Sequence, residues 1–270
     1  MLTSPFSDES IEEVHLPNSP LERVIAQVVL PRLGRLSAAF QDVVGPELIQ
    51  HLLDDYPFVE EGHEVSLTIT PAGVNQERGS LVRVFRSVDR AWTATIGETS
   101  IALDTTAYTT RPDFIVRFSK LLRLVGKVLD IPSGVSTQRI GVRYVNRITD
   151  RDLLLRANTL VRPQALGGQA VHRPEHVKLI HTMSDSLYVV GDRQLQARWG
   201  LLPTGQPNGP GLAGLPAPSW ILDLDSYSQE AHLYDPDNLA AYADSLAFGA
   251  YRYFRWLVTD DFLRAFGGDV

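Results

Sequence analysis

Three arginines, Arg139, Arg143 and Arg147, recur every fourth residue in the decapeptide Arg139-Ile140-Gly141-Val142-Arg143-Tyr144-Val145-Asn146-Arg147-Ile148. A strand repeats every two residues, so in an extended chain these guanidinium groups share one face while Ile140, Val142, Tyr144 and Ile148 share the other. A row of that kind can neutralise several phosphates or meet an acidic partner. The spacing therefore predicts a strand with its apolar side inward and an anion- or partner-binding side outward. Arg83, on another strand-like run, can extend the row; Arg86 has the opposite parity to Arg83, so the two cannot both join it.

Carboxylates offer a second chemistry. Asp223 and Asp225 are two residues apart in Leu222-Asp223-Leu224-Asp225, so their side chains project from one face of a strand. That placement suits sharing a divalent metal or dividing acid and base roles. Asp104 completes a three-acid cluster if its strand lies alongside; ordinary polar-out alternation is the competing explanation.

Other candidates are weaker. His172 and His176 would align only on a helix, which Pro174 breaks, and His176 and His181 have opposite strand parity, so a zinc site is not expected. Gly209-Pro-Gly211-Leu-Ala-Gly214 spells a dinucleotide-binding string, but it lies in proline-rich coil rather than between a strand and a helix. No Walker A, His-Glu-x-x-His or Gly-x-Ser-x-Gly motif is present. No catalytic nucleophile, metal or cofactor is predicted.

Composition narrows the classes. The 270 residues include 44% hydrophobic and 21% charged side chains, an ordinary globular balance with enough apolar mass for a sizeable core. There is no cysteine, which removes disulfides and thiolate chemistry and suits a reducing cytoplasm. No basic-then-apolar leader opens the chain and no window holds 18 unbroken apolar residues, so a membrane partner is not expected. The net charge of −7 argues against a general polyanion binder, yet residues 78–147 hold twelve Lys or Arg against five Asp or Glu, and a local basic surface keeps nucleic acid in play.

The elements that would position these groups follow from periodicity. Residues 1–17 read as a flexible arm and 18–270 as one α+β domain, with 18–149 and 150–270 as a further division into two intimate halves. Leu21–Leu30 reads as a strand between prolines. Leu33–Leu53 has helical spacing that Gly45-Pro46 should kink or split. Glu64–Thr70, Leu81–Val88, Trp92–Ile96 and Thr99–Ala107 read as a meander, with turns at Asn75, Gly79, Asp89 and Gly97. Thr110 or Arg111 caps a helix with Phe114, Phe118, Leu121, Leu122 and Val125 on one face and Arg117, Lys120, Arg123 and Lys127 on the other.

After the arginine strand and a short helix at Asp152–Leu155, runs His176–Val190 and Gln194–Leu201 predict a hairpin. Residues 202–219 are too rich in proline and glycine for ladder or helix and predict a mobile loop. Trp220–Tyr227 follows as a strand. Asp235-Pro236-Asp237 then opens a helix expected to run to about Phe266. The sum is α+β: eight or nine predominantly antiparallel strands and three main helices, the last of them long.

Four segments together resemble the TIGR04255 family, sporadically distributed prokaryotic proteins of unassigned function. They are Asn18, Pro20, Leu21, Val24, Gln27 and Pro31; Asp104, Tyr108, Asp113 and Phe114; the decapeptide Arg139–Ile148; and Leu222–Asp225 with a closing helix ending near Thr259-Asp260. The long 202–219 loop departs from that pattern. The resemblance implies no catalytic residues. Its sporadic occurrence suggests the neutralising or sensing member of a bacterial gene pair.

The leading expectation is a non-catalytic binding protein that recognises a protein partner through its sheet, using Arg139, Arg143, Arg147 and Arg83. The alternative is a metal-dependent phosphodiester hydrolase, with Asp223, Asp225 and Asp104 as the acids and the Arg139–Arg147 row holding the anion, or a nucleic-acid binder. A third is a small-molecule pocket beneath the last helix, lined by Trp92, Trp199, Trp220 or Trp256.

Overall fold

The structure is a computed structural model and describes residues 2–7, 9–32, 45–70, 73–207 and 212–269. Nine strands form one antiparallel sheet in the order β2-β3-β4-β5-β1-β6-β9-β8-β7. They are β1 (Leu21–Val29), β2 (Phe58–Thr70), β3 (Gly73–Arg86), β4 (Trp92–Gly97), β5 (Ser100–Thr105), β6 (Arg139–Ile148), β7 (Thr182–Val190), β8 (Arg193–Leu202) and β9 (Ser219–Ser228). The α-helices are α1 (Gly45–Leu52), α2 (Arg111–Val128), α3 (Arg151–Leu155), α4 (Ala157–Leu160), α5 (Pro236–Leu257) and α6 (Asp260–Ala265). The chain is thus α+β, as its periodicity predicts.

It divides into two compact units. One comprises Arg23–Val142 and Tyr227–Ser245. Its strands alternate as a one-side-buried ladder should: Val24, Ala26 and Val28 of β1 and Ala94 and Ile96 of β4 are buried, with less buried residues between. Helix α2 begins where Thr110 accepts a hydrogen bond from the Asp113 amide, with proline in its first turn, and buries Phe114, Phe118, Leu121, Leu122 and Val125. Tyr234 donates its hydroxyl proton to the Leu122 carbonyl at 2.7 Å. Its ring lies so close that a Cβ on Gly126 would stand 2.7 Å away, which explains a glycine within the helix.

The other unit comprises Met1–Glu22, Arg143–Ser226 and Leu246–Val270. Its core joins Leu195, Ala197 and Trp199 of β8 with Trp220, Leu222 and Leu224 of β9, under Tyr253, Phe254 and Leu257 of α5 and Phe262 of α6. Each fully buried large side chain contributes roughly 1.5–3 kcal/mol relative to exposure. The N-terminal stretch is bound to the same unit: the Val14 amide donates to the Tyr251 hydroxyl at 2.8 Å, and Arg252 donates to the Glu9 carbonyl at 2.7 Å.

Several boundaries differ from the sequence reading. Asn75 and Gly79 lie inside β3, not in a turn, because β2 and β3 pair along most of their length with one register shift between His63 and Val65. Residues Gly45–Leu52 form helix α1, with Pro46 near its described beginning; Leu36, Phe40, Val43 and Val44, and with them the expected kink or split, lie outside the described residues. The closing helix breaks at Val258-Thr259. There Val258 bridges Val161, the Thr259 amide donates to the Leu160 carbonyl, and the Thr259 hydroxyl caps α6.

Candidate functional site

The decapeptide 139–148 is the predicted strand, β6. Its arginines, however, are not displayed. Arg143 donates Nε to Asp223 Oδ1 and Nη2 to Asp223 Oδ2, both at 2.7 Å, a bidentate fork that also fixes orientation. Arg198, on β8, sets its Nη2 3.1 Å from Asp223 Oδ2. The Asp223 side chain is 0% exposed, so one carboxylate of β9 holds cations from both neighbouring strands. Burial works against the Arg143 charge, but the hydrogen bonds and charge of Asp223, helped by Asp225, outweigh it and raise its pKa.

Arg147 is buried more completely, with 3% of its side chain exposed. It meets Glu22 at 3.3 Å and donates to the Ala213 carbonyl at 3.1 Å. Ala213 belongs to the proline- and glycine-rich loop, and Leu212 beside it is buried with Val145, Leu202 and Ile221. Described parts of that loop thus pack on this face, and Gly205 donates to the Leu215 carbonyl across it. Residues 208–211, including Gly209 and Gly211, lie outside the described residues.

Arg139 lies over Tyr227, its guanidinium carbon 4.6 Å from the ring centroid. A Cβ on Gly141 would stand 2.8 Å from Arg139 Nη1 and 2.9 Å from Tyr227 Cβ. The guanidinium could swing aside, but the Tyr227 Cβ is fixed to its backbone, so a side chain at Gly141 would push the strands apart. Arg83 pairs with Glu61 at 2.5 Å on the facing strand. The four expected anion-binding arginines are thus engaged internally, which corrects the outward cationic row. The reason is cross-strand proximity: a sequence shows that a face carries charge but not that the next strand supplies the counter-charge.

The acids follow the same rule. Asp104 is held by Arg23 of β1, and Asp223 by Arg143 and Arg198. Carboxylates so engaged are not poised as metal ligands, and among the described residues no group of three or more His, Asp or Glu could hold a metal ion. His172, His176 and His181 are exposed. Trp199 and Trp220 fill the core beneath α5 rather than line a cavity, and Trp199 donates Nε1–H to the Ala165 carbonyl at 2.8 Å. Trp92, in the other unit, is buried against Phe114 and covered by Arg117.

What the sequence reading missed lies on β7, last in the strand order. Tyr188 faces the core and meets Tyr253, whereas Leu187 and Val189 project the other way, 56% and 74% exposed. Val190 is exposed too, as are Val171, Val177 and Ile180 on the approach. In nine residues β7 carries one charge, Asp185, and no proline, glycine or lysine. Its register with β8 is unbroken from Thr182↔Leu201 to Val190↔Arg193. Among the described residues, no backbone hydrogen bond from outside the ladder reaches Met183–Val190. The signal was present in Leu187 and Val189, but as half of an alternation it reads as one more core face.

No family model matches the chain, and no curated protein matches it significantly. No helix among the described residues is long and apolar enough to cross a membrane.

Proposed function

We propose that this is a non-catalytic binding protein that recognises a protein partner by strand addition along β7, and that it belongs to the TIGR04255 family on the strength of the four segments quoted above. The observation that carries the binding reading is the undefended second half of the edge: beyond Thr182 and Ser184, against which Gly167 and Gly168 pack, β7 runs on to Val190 as a regular, nearly uncharged strand with apolar side chains at alternate exposed positions. Edge strands present a row of unpaired amides and carbonyls, and proteins normally blunt them with charge, proline or bulges. In strand addition the main chain supplies affinity and alternate side-chain positions supply selectivity. The partner segment is accordingly extended, with apolar residues at every second position to cover Leu187 and Val189.

Peptides selected from a displayed random library against the intact protein test this. We expect alternating apolar sequences that slow amide exchange in β7 and that no longer bind Leu187→Lys/Val189→Lys, whose thermal melt is unchanged. Selected peptides that protect another surface, or bind the double variant equally, overturn the reading. So does a stable homodimer by light scattering that the same variant dissolves, since β7 would then be occupied by a second copy of the chain.

A further inference from the structure

A groove of about 290 Å³ between α1 and α2 is lined by His51, Lys120, Arg123, Leu124, Lys127 and Val128. Helical spacing builds it. Lys120, Arg123 and Lys127 stand at i, i+3 and i+7, and Leu124 and Val128 fall beside them at i+4 and i+8, so cations rim an apolar floor. Two of the cations have counter-charges: Lys120 lies 2.6 Å from Asp55, and Arg123 meets Asp237. The Lys120 and Arg123 side chains are 67% and 59% exposed, and ion pairs that open to water are worth at most about 1 kcal/mol, so an incoming anion can replace them. Lys127 and His51 have no carboxylate partner among the described residues.

This is the reverse of the β6 arginines. Arg143 and Arg147 are held by carboxylates and largely covered, whereas here the charge is accessible and part of it is uncompensated. Ligand sites of this kind combine an apolar lining with a few convergent polar groups, at volumes of roughly 300–1,000 Å³, and the groove falls at the small end. Several cations around one small space suit a doubly charged head group better than a carboxylate.

We infer that the groove binds a soluble phosphate monoester with a short apolar body, the phosphate among His51, Lys120, Arg123 and Lys127 and the body on Leu124 and Val128. The site is independent of β7. Calorimetric titration of the intact protein at low ionic strength, with phenyl phosphate and inorganic phosphate as probes, tests it. We expect phenyl phosphate to bind with a Kd near or below about 1 mM, and Lys127→Gln to weaken it about tenfold. Leu124→Ser should lower the affinity for phenyl phosphate while leaving inorganic phosphate unchanged. No binding by about 10 mM phenyl phosphate, equal binding by Lys127→Gln, or binding only to vesicles containing phosphatidic acid overturns the proposal.

Discussion

The two strands that end the sheet order, β2 and β7, solve the edge problem in opposite ways. Strand β2 carries Glu60 and Glu61, which pair with Arg86 and Arg83 of β3, and its register with β3 slips between His63 and Val65. Charges and an irregularity are the usual defences of an exposed edge. Strand β7 keeps an unbroken register, a single carboxylate and exposed Leu187 and Val189. An edge without such defences aggregates or is covered by a partner, which makes the contrast itself an argument for recognition at β7.

The most disruptive way to sharpen this contrast is Asp223→Ala. It leaves Arg143 and Arg198 without their shared carboxylate and should cost about 3–5 kcal/mol in denaturant unfolding, the range for removing one partner of a buried ion pair. Because Arg198 is on β8, amide exchange should quicken in β7 and β8 before β2 and β3. Equal loosening of both pairs would mean that this ion network does not hold the β7 end.

Stripping the defended edge comes next. Glu60→Val/Glu61→Val leaves the well-buried Arg83 without its carboxylate, at about 1–3 kcal/mol. It should also give β2 the character of β7, seen as concentration-dependent self-association in sedimentation.

A smaller effect comes from Tyr253, which meets Tyr188 of β7 at 3.4 Å between hydroxyls. Burial, and then the Tyr188 hydroxyl, raise the Tyr253 pKa above its ordinary 10.0. The folded state therefore favours the neutral phenol: that stability is intact below pH 10.0 and is lost as pH rises past it, where the unfolded chain ionises first. Tyr253→Phe should flatten this alkaline decline in pH-dependent unfolding, at a cost of about 1 kcal/mol at neutral pH. The least perturbing change, Leu187→Lys/Val189→Lys, should shift stability by no more than about 0.5 kcal/mol while abolishing strand addition.

Much of the architecture was legible in advance. The span of β6, the Thr110 cap of α2, the Asp235 start of α5 and the hairpin before residue 202 follow from local rules: strand alternation, side-chain capping and proline at a helix start. The β2–β3 pairing was misread because a long ladder carries Asn75 and Gly79, which in isolation signal a turn. The break at Thr259 was missed because its cause, the Val161 and Leu160 contacts, lies far off in sequence.

The candidate site was far less legible. Sequence placed Arg139, Arg143 and Arg147 on one strand and Asp223 with Asp225 on another, but read them as separate holders of an anion and a metal rather than as partners of each other. Only the β6–β9 neighbourhood joins Arg143 to Asp223.

By itself the chain determined its class, its periodicities and most of its element boundaries, because these depend on residues within a few positions of one another. The tertiary structure alone decided which charges neutralise each other and which apolar face stays open, because both depend on which strands become neighbours. Coulombic pairing and burial act through space rather than along the chain. That is why arginines expected outside lie covered, while Leu187 and Val189 face water.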